Sequence, residues 1–413
     1  MWDTIKDRIA YATATAVFCA VGLAIRYATH WAPAPTDPLQ RVVFILGQER
    51  PHSTSPNVLE RNSESVHWEV AYATQHSFSE LDGDYTGPDT ELHFGLTEVS
   101  LPVIRSRGSL DLVQPQDEST AGKITRSADR GLKPDDFYTH IATRLAAAEQ
   151  RDLLIFVHGY NVSFNESVCR IAQMAEDMPF SGVVLAYDWK SQSNEIGYFQ
   201  DKWTTGTTHA AFAGVLAELR ERLDPDVRIH VLAHSMGNRY TLNALQLLGN
   251  YEPYIGMPVN DDDAFFKPQF AGWRRWHPRG SDPKPIANLI FAAPDVSPEA
   301  FQEALGTVSR LCDHMTLYCN EADFALEFSR YINGQGKHGF RVGDSRSEIG
   351  VSSVDIIRLQ EVSPTDPFGH SYYGSHPGLL SDLSLLLEQK ASLELRPTVT
   401  AGQWPYHGNW YLR

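Results

Sequence analysis

Cysteine is scarce. Four in 413 residues exclude a scaffold held together by disulfides. Basic side chains are also in deficit, with 35 Lys and Arg against 51 Asp and Glu, a formal charge of −16. A surface of that sign repels phosphate backbones, so nucleic acid is not an expected partner. No internal repeat is evident. No His, Cys, Asp or Glu spacing matches a metal-ligand pattern, and no cofactor is expected. Hydrophobic residues at 42% and charged residues at 21% describe a globular chain, neither disordered nor multi-spanning.

Long apolar runs are absent but for one. Ile9 to Ile25 holds 17 residues without a charge, about 25 Å as a helix against a hydrocarbon core of about 30 Å. Three readings compete. The preferred one is a membrane anchor, with Tyr27 and Trp31 at the interface. A cleaved signal peptide is the second, although its best cleavage site, Ala32-Pro33-Ala34, contains proline. An apolar helix packed on the domain is the third. Lys6 and Arg8 on one side balance Arg26 and Arg41 on the other, so the side of the membrane stays open. The expected division is an N-terminal segment 1–31, a linker and first strand (Val42–Leu46) over 32–65, one large domain over 66–393 and a C-terminal tail over 394–413.

Within the domain, strand-like runs at Trp68–Ala73 and Leu92–Leu101 come first, and the polar stretch Ser106–Lys133 reads as loop. Pro134-Asp135-Asp136 then opens a helix with Phe137, Ile141, Leu145 and Ala148 on one face. From Leu153–Val157 onward, apolar strands alternate with helical patterns. This implies an α/β fold with a mostly parallel, doubly wound sheet covered on both faces. The stretch 250–285 is too long for a plain crossover. It carries Tyr251, Tyr254, Phe265, Phe266, Phe270, Trp273 and Trp276, and reads as an insertion, either a lid over a site or a packed subdomain. The tail aromatics Trp404, Tyr406, Trp410 and Tyr411 are expected to dock back on the domain.

Chemistry concentrates at strand ends. Ala233-His234-Ser235-Met236-Gly237 sits between an apolar strand and an amphipathic helix. Small residues two before and two after a serine permit the sharp turn that exposes its Oγ at a helix N-terminus, the nucleophile elbow. His158-Gly159-Tyr160-Asn161 ends the strand Leu153–Val157, where ligand crevices open in such sheets. The amides of Tyr160 and Met236 are the candidate oxyanion donors, and the His158 ring reads as structural. A serine needs a base, and the base needs a carboxylate. His370 is the best-placed base and His376 the runner-up. Asp323 is the preferred acid and Asp295 the alternative; either residue also suits a helix N-cap.

These residues resemble the α/β-hydrolase superfamily. More narrowly they resemble an uncharacterised bacterial hydrolase family that couples His158-Gly159-Tyr160-Asn161 to Ala233-His234-Ser235-Met236-Gly237-Asn238. The likeness includes Asp188-Trp189-Lys190-Ser191, the run ending at Asp295, and Gly369-His370-Ser371-Tyr372, and it covers roughly Val66 to Glu388. It implies Ser235 as nucleophile, His370 as base and Asp323 at the usual acid position, and it supplies no substrate. The expected activity is hydrolysis of a carboxylic ester, lipid-like if the anchor and lid readings hold. Acyl transfer or thioester hydrolysis on the same site, or a non-catalytic membrane-anchored binding protein, are the alternatives.

Overall fold

The computed structural model describes residues 52–80, 83–114, 117, 119–191, 209–250, 284–332, 339–347, 349–359, 369–401 and 409–412. The apolar segment 1–31, the strand expected at Val42–Leu46 and all but the ends of the 250–285 insertion lie outside these residues. Among the described residues, no helix is long and apolar enough to cross a membrane.

Four strands and a helix lead the chain: β1 (Val58–Arg61), β2 (Ser65–Ser79), β3 (Asp84–Pro102), β4 (Thr125–Leu132) and α1 (Pro134–Ala147). Strand and helix then alternate through β5 (Asp152–Val157), α2 (Phe164–Asp177), β6 (Val183–Asp188), α3 (His209–Arg222), β7 (Arg228–His234) and α4 (Met236–Asn250). After them come β8 (Ile286–Ala292), α5 (Pro298–Val308), β9 (Cys312–Asn320), α6 (Phe324–Ile332) and β10 (Asp355–Leu359). The chain closes with α7 (Tyr372–Ser375), α8 (Pro377–Leu387), β11 (Val399–Ala401) and β12 (Asn409–Leu412).

The twelve strands among the described residues join one sheet, in the order β11-β12-β10-β9-β8-β7-β5-β6-β2-β3-β4, with β1 beside β2. The block from β12 to β2 is parallel throughout. β1, β3, β4 and β11 pair antiparallel. Buried clusters fill both faces, as a doubly wound sheet requires. β5, β6 and β8 are buried at every position, matching their largely apolar sequences.

Three stretches differ from expectation. β2 and β3 extend into one hairpin longer than the two apolar runs, because its outer half is polar and only partly buried. Thr125–Leu132, inside a stretch expected as loop, is an edge strand whose ladder with β3 does not depend on apolar side chains. The residues after 394, expected as a tail, add β11 and β12 to the sheet, with Trp410 and Tyr411 in β12 opposite β10.

The C-terminal residues are tied in by a buried ion pair. Arg396 and Asp382 of α8 lie 2.7 Å apart with both side chains fully buried. Tyr318 of β9 donates its hydroxyl to the same carboxylate at 2.6 Å. Removing one member leaves an uncompensated buried charge, and Arg396→Ala is expected to lower the unfolding free energy by about 3–5 kcal/mol. Urea denaturation followed by circular dichroism measures it, and a loss below about 1 kcal/mol would show the pair to be dispensable.

Candidate active site

The strand order reverses at β5, since α2 leads to β6 on one side while β7 lies on the other. A crevice opens at such a switch point, outside the carboxyl ends of the strands. The two segments singled out in the sequence, residues 158–161 after β5 and Ser235 after β7, stand at these carboxyl ends.

Ser235 has φ +53, left-handed for a residue with a Cβ. Main-chain bonds hold it there. Its N–H donates to Ala292 O at 2.9 Å, and its carbonyl accepts from Asn238 N at 3.1 Å and Asp295 N at 3.2 Å. The Asn238 side chain adds bonds to Ser235 O at 3.0 Å and Ala292 O at 3.1 Å. The turn brings α4 hard against β5. A Cβ on Gly237 would lie 2.3 Å from His158 O and 2.8 Å from Val157 O, both backbone. A Cβ on Gly159 would lie 2.9 Å from the Ser235 Cβ, so the loop carrying Tyr160 packs directly on the elbow. Met236 opens α4, where the first N–H groups have no intrahelical acceptor.

The His370 Nδ1–H donates to Asp323 Oδ2 at 2.7 Å, with the carboxylate fully buried and the ring 15% exposed. Asp323 also caps α6, accepting the Leu326 N–H at 3.0 Å through Oδ1. The helix cap and the contact with a histidine ring coexist, one on each oxygen. Asp295 is engaged elsewhere: Oδ1 accepts from Ser329 Oγ at 2.6 Å and pairs with Arg341 Nε at 3.0 Å. His376, the alternative base, accepts the Leu379 N–H on Nδ1 at 3.3 Å and caps α8.

Two contributors escaped the sequence reading. Asn238 is the bolt of the elbow. His234 joins the elbow to the His370 loop: its Nε2–H donates to His370 O at 3.0 Å, and its ring lies 4.1 Å from Tyr373 and 4.7 Å from the His370 ring. Burial, then the neighbouring His370, holds the His234 ring well below the usual histidine range, so it stays neutral. Both residues stood in the elbow motif, but their partners come from β8 and the 369–371 loop.

Cys169, Cys312 and Cys319 are free and buried. Burial pushes the Cys169 thiol up to about 12, so it is no nucleophile at neutral pH. Among the described residues, no group of three or more His, Cys, Asp and Glu is arranged to hold a metal ion. Gly237→Ala is expected to destabilise the protein by about 1–3 kcal/mol through overpacking against backbone. Gly306→Ala, in α5 with nothing within 4 Å of the added Cβ, is expected to be neutral or stabilising by up to about 1 kcal/mol. Thermal unfolding of the two variants checks the contrast.

The family described as alpha/beta hydrolase of unknown function (DUF900) matches residues 133–389. No curated protein matches this chain. Among solved structures, a metagenomic carboxyl esterase aligns at 15% identity over 70% of this chain and 87% of its own, with a TM-score of 0.28. That likeness is too low to carry an argument. The match spans the whole alternating region from α1 through α8, including both arms of the crevice, and by it this chain belongs to the alpha/beta hydrolases of unknown function.

Proposed function

We propose that the protein is a serine hydrolase acting on carboxylic esters through an acyl-enzyme. The observation that carries this reading is the bond from His370 Nδ1 to the buried Asp323, on the loop that His234 ties to the Ser235 turn. With Nδ1 committed to the carboxylate, Nε2 is the ring nitrogen that works on the serine. It takes the Ser235 proton as Oγ attacks the carbonyl carbon, and Asp323 stabilises the imidazolium. The amides of Tyr160 and Met236 hold the tetrahedral oxyanion. His370 then passes its proton to the departing alcohol. Water, deprotonated by the same ring, releases the acid and frees Ser235. One oxyanion donor of this kind contributes about 3–4 kcal/mol of transition-state stabilisation.

The substrate reading comes from the sequence outside the described residues. An apolar segment 1–31 as anchor and an aromatic 250–285 stretch as lid make a lipid-like ester the first class to test. A panel of p-nitrophenyl esters is expected to show kcat/KM rising with acyl length. A preference for the shortest acyl chains would remove the lipid-like assignment.

A fluorophosphonate probe is expected to label the intact protein and not Ser235→Ala. Failure of the intact protein to label would overturn the hydrolase reading. Asp323→Asn is expected to lower kcat on the order of 10⁴-fold by losing the carboxylate that orients the base. Asp295→Asn is expected to weaken folding through its broken pair with Arg341 while the remaining folded protein still labels. The opposite pattern would transfer the acid role to Asp295.

A further inference from the structure

At the other end of the sheet from Ser235 lies a cavity of about 360 Å³. Val66, near the start of β2, lines it, together with Glu176 and Asp177 at the end of α2 and Leu385 of α8. β2 meets β6 only further along, where Ala71–Thr74 pair with Leu185–Asp188. The cavity is therefore at the amino ends of the strands, whereas the crevice is at their carboxyl ends. Its volume is at the small end of the range for small-molecule sites.

Its polar wall is rich in donors. Arg61, Arg105 and Arg107 line it beside the two carboxylates. Arg61 clasps Glu176 through Nη1 and Nη2, each at 2.9 Å, and the Trp68 indole N–H donates to the same carboxylate at 3.1 Å. Arg105 clasps Asp177 at 2.8 and 3.0 Å. Asp177 also accepts from Gly108 N and from Gln173 Nε2, both at 2.7 Å. Arg107 donates to Asp177 O at 3.1 Å and to Ser381 Oγ at 2.7 Å. Both carboxylates are amply supplied with donors.

The guanidinium groups of Arg61 and Arg105 are not matched in the same way. Each has five N–H donors. Arg61 spends two on Glu176, and Arg105 spends three on Asp177 and Ser106 O. Their other N–H groups have no acceptor among the described residues. The Arg105 side chain is only 7% exposed, and a donor so shielded is costly unless an acceptor reaches it. The rest of the wall is apolar, with Val66, Val103, Pro179 and Leu385.

We propose that this cavity binds an amphipathic carboxylate, a monocarboxylic acid of medium chain length. Its headgroup meets Arg61 and Arg105, and its chain lies against Val66, Pro179 and Leu385. A planar carboxylate fits the guanidinium fork. A phosphate would bring further negative charge beside Glu176 and Asp177 and would leave the apolar wall bare. The assignment goes beyond the serine-hydrolase reading and does not rest on it.

The test is equilibrium dialysis of the full-length protein against radiolabelled octanoate, with unlabelled competitors. Saturable binding of octanoate is expected. Octan-1-ol, which lacks the charge, and acetate, which lacks the chain, are each expected to compete about tenfold or more weakly. Inorganic phosphate is expected not to displace octanoate. Val103→Glu puts a like charge on the wall at a residue 40% exposed, and Arg105→Gln removes headgroup donors. Each is expected to weaken octanoate binding about tenfold or more, with circular dichroism checking that the variants fold. Should Arg105→Gln fail to fold with Asp177 stranded, Val103→Glu decides. Octanoate seated in the crevice instead would survive Val103→Glu, and native-like binding by that variant overturns the proposal. So does a native protein with no saturable binding, competition by octan-1-ol or acetate equal to that of octanoate, or displacement by phosphate. None of these readouts uses turnover, so failure here leaves the hydrolase reading standing, and failure of Ser235 to label leaves this site standing.

Discussion

A left-handed serine wedged between a buried strand and a helix is the constraint on which the rest of the crevice depends. The conformation at Ser235 costs about 1–2 kcal/mol relative to ordinary backbone. It persists because Ala292, Asn238 and Asp295 hold both its N–H and its carbonyl. The turn sets the direction of α4, and α4 then runs so close to β5 that position 237 has no space for a side chain. The same closeness puts Gly159 against the serine. Loop and elbow are therefore one packed unit.

Buried carboxylates form the next layer. Asp188, Asp295, Asp323 and Asp382 are each almost fully shielded from solvent, and each is matched by a cation, a ring N–H or a hydroxyl. Such groups add little net stability, because desolvation offsets the attraction, but breaking one leaves a charge stranded. Their effect is to specify geometry. Asp323 illustrates it: one oxygen caps α6 and the other receives the His370 ring, so the helix start and the base are set in register by a single side chain. Asp382 does the same for the C-terminal residues.

The parallel half of the sheet was legible because strands buried on both faces must be mainly apolar, and the runs at Leu153, Val183, Val227 and Ile286 are, with only Arg228, His230 and Asn288 breaking the last two. The elbow was legible because its steric requirement falls on residues adjacent in the chain. What escaped had no local signature. β4 is held by backbone bonds at an edge, where side-chain polarity is unconstrained. β12 joins the sheet from beyond residue 400, far from its partner β10 in chain order. His376 and His370 look alike as histidines six residues apart, yet one ring caps a helix and the other meets Asp323.

The sequence by itself determined the fold class, the strained turn at Ser235 and the short roster of histidines and carboxylates around it, since each follows from residue type and spacing within a few positions. Only the tertiary structure decided which carboxylate meets which ring. The bond from His370 to Asp323 spans 47 residues, and it forms because β9, α6 and the 369–371 loop pack at one edge of the crevice. Asp295, equally plausible along the chain, is turned toward Arg341 and Ser329 by the same packing. Hydrogen bonds of a few ångströms between distant segments depend on the packing of whole elements, and no local pattern records that.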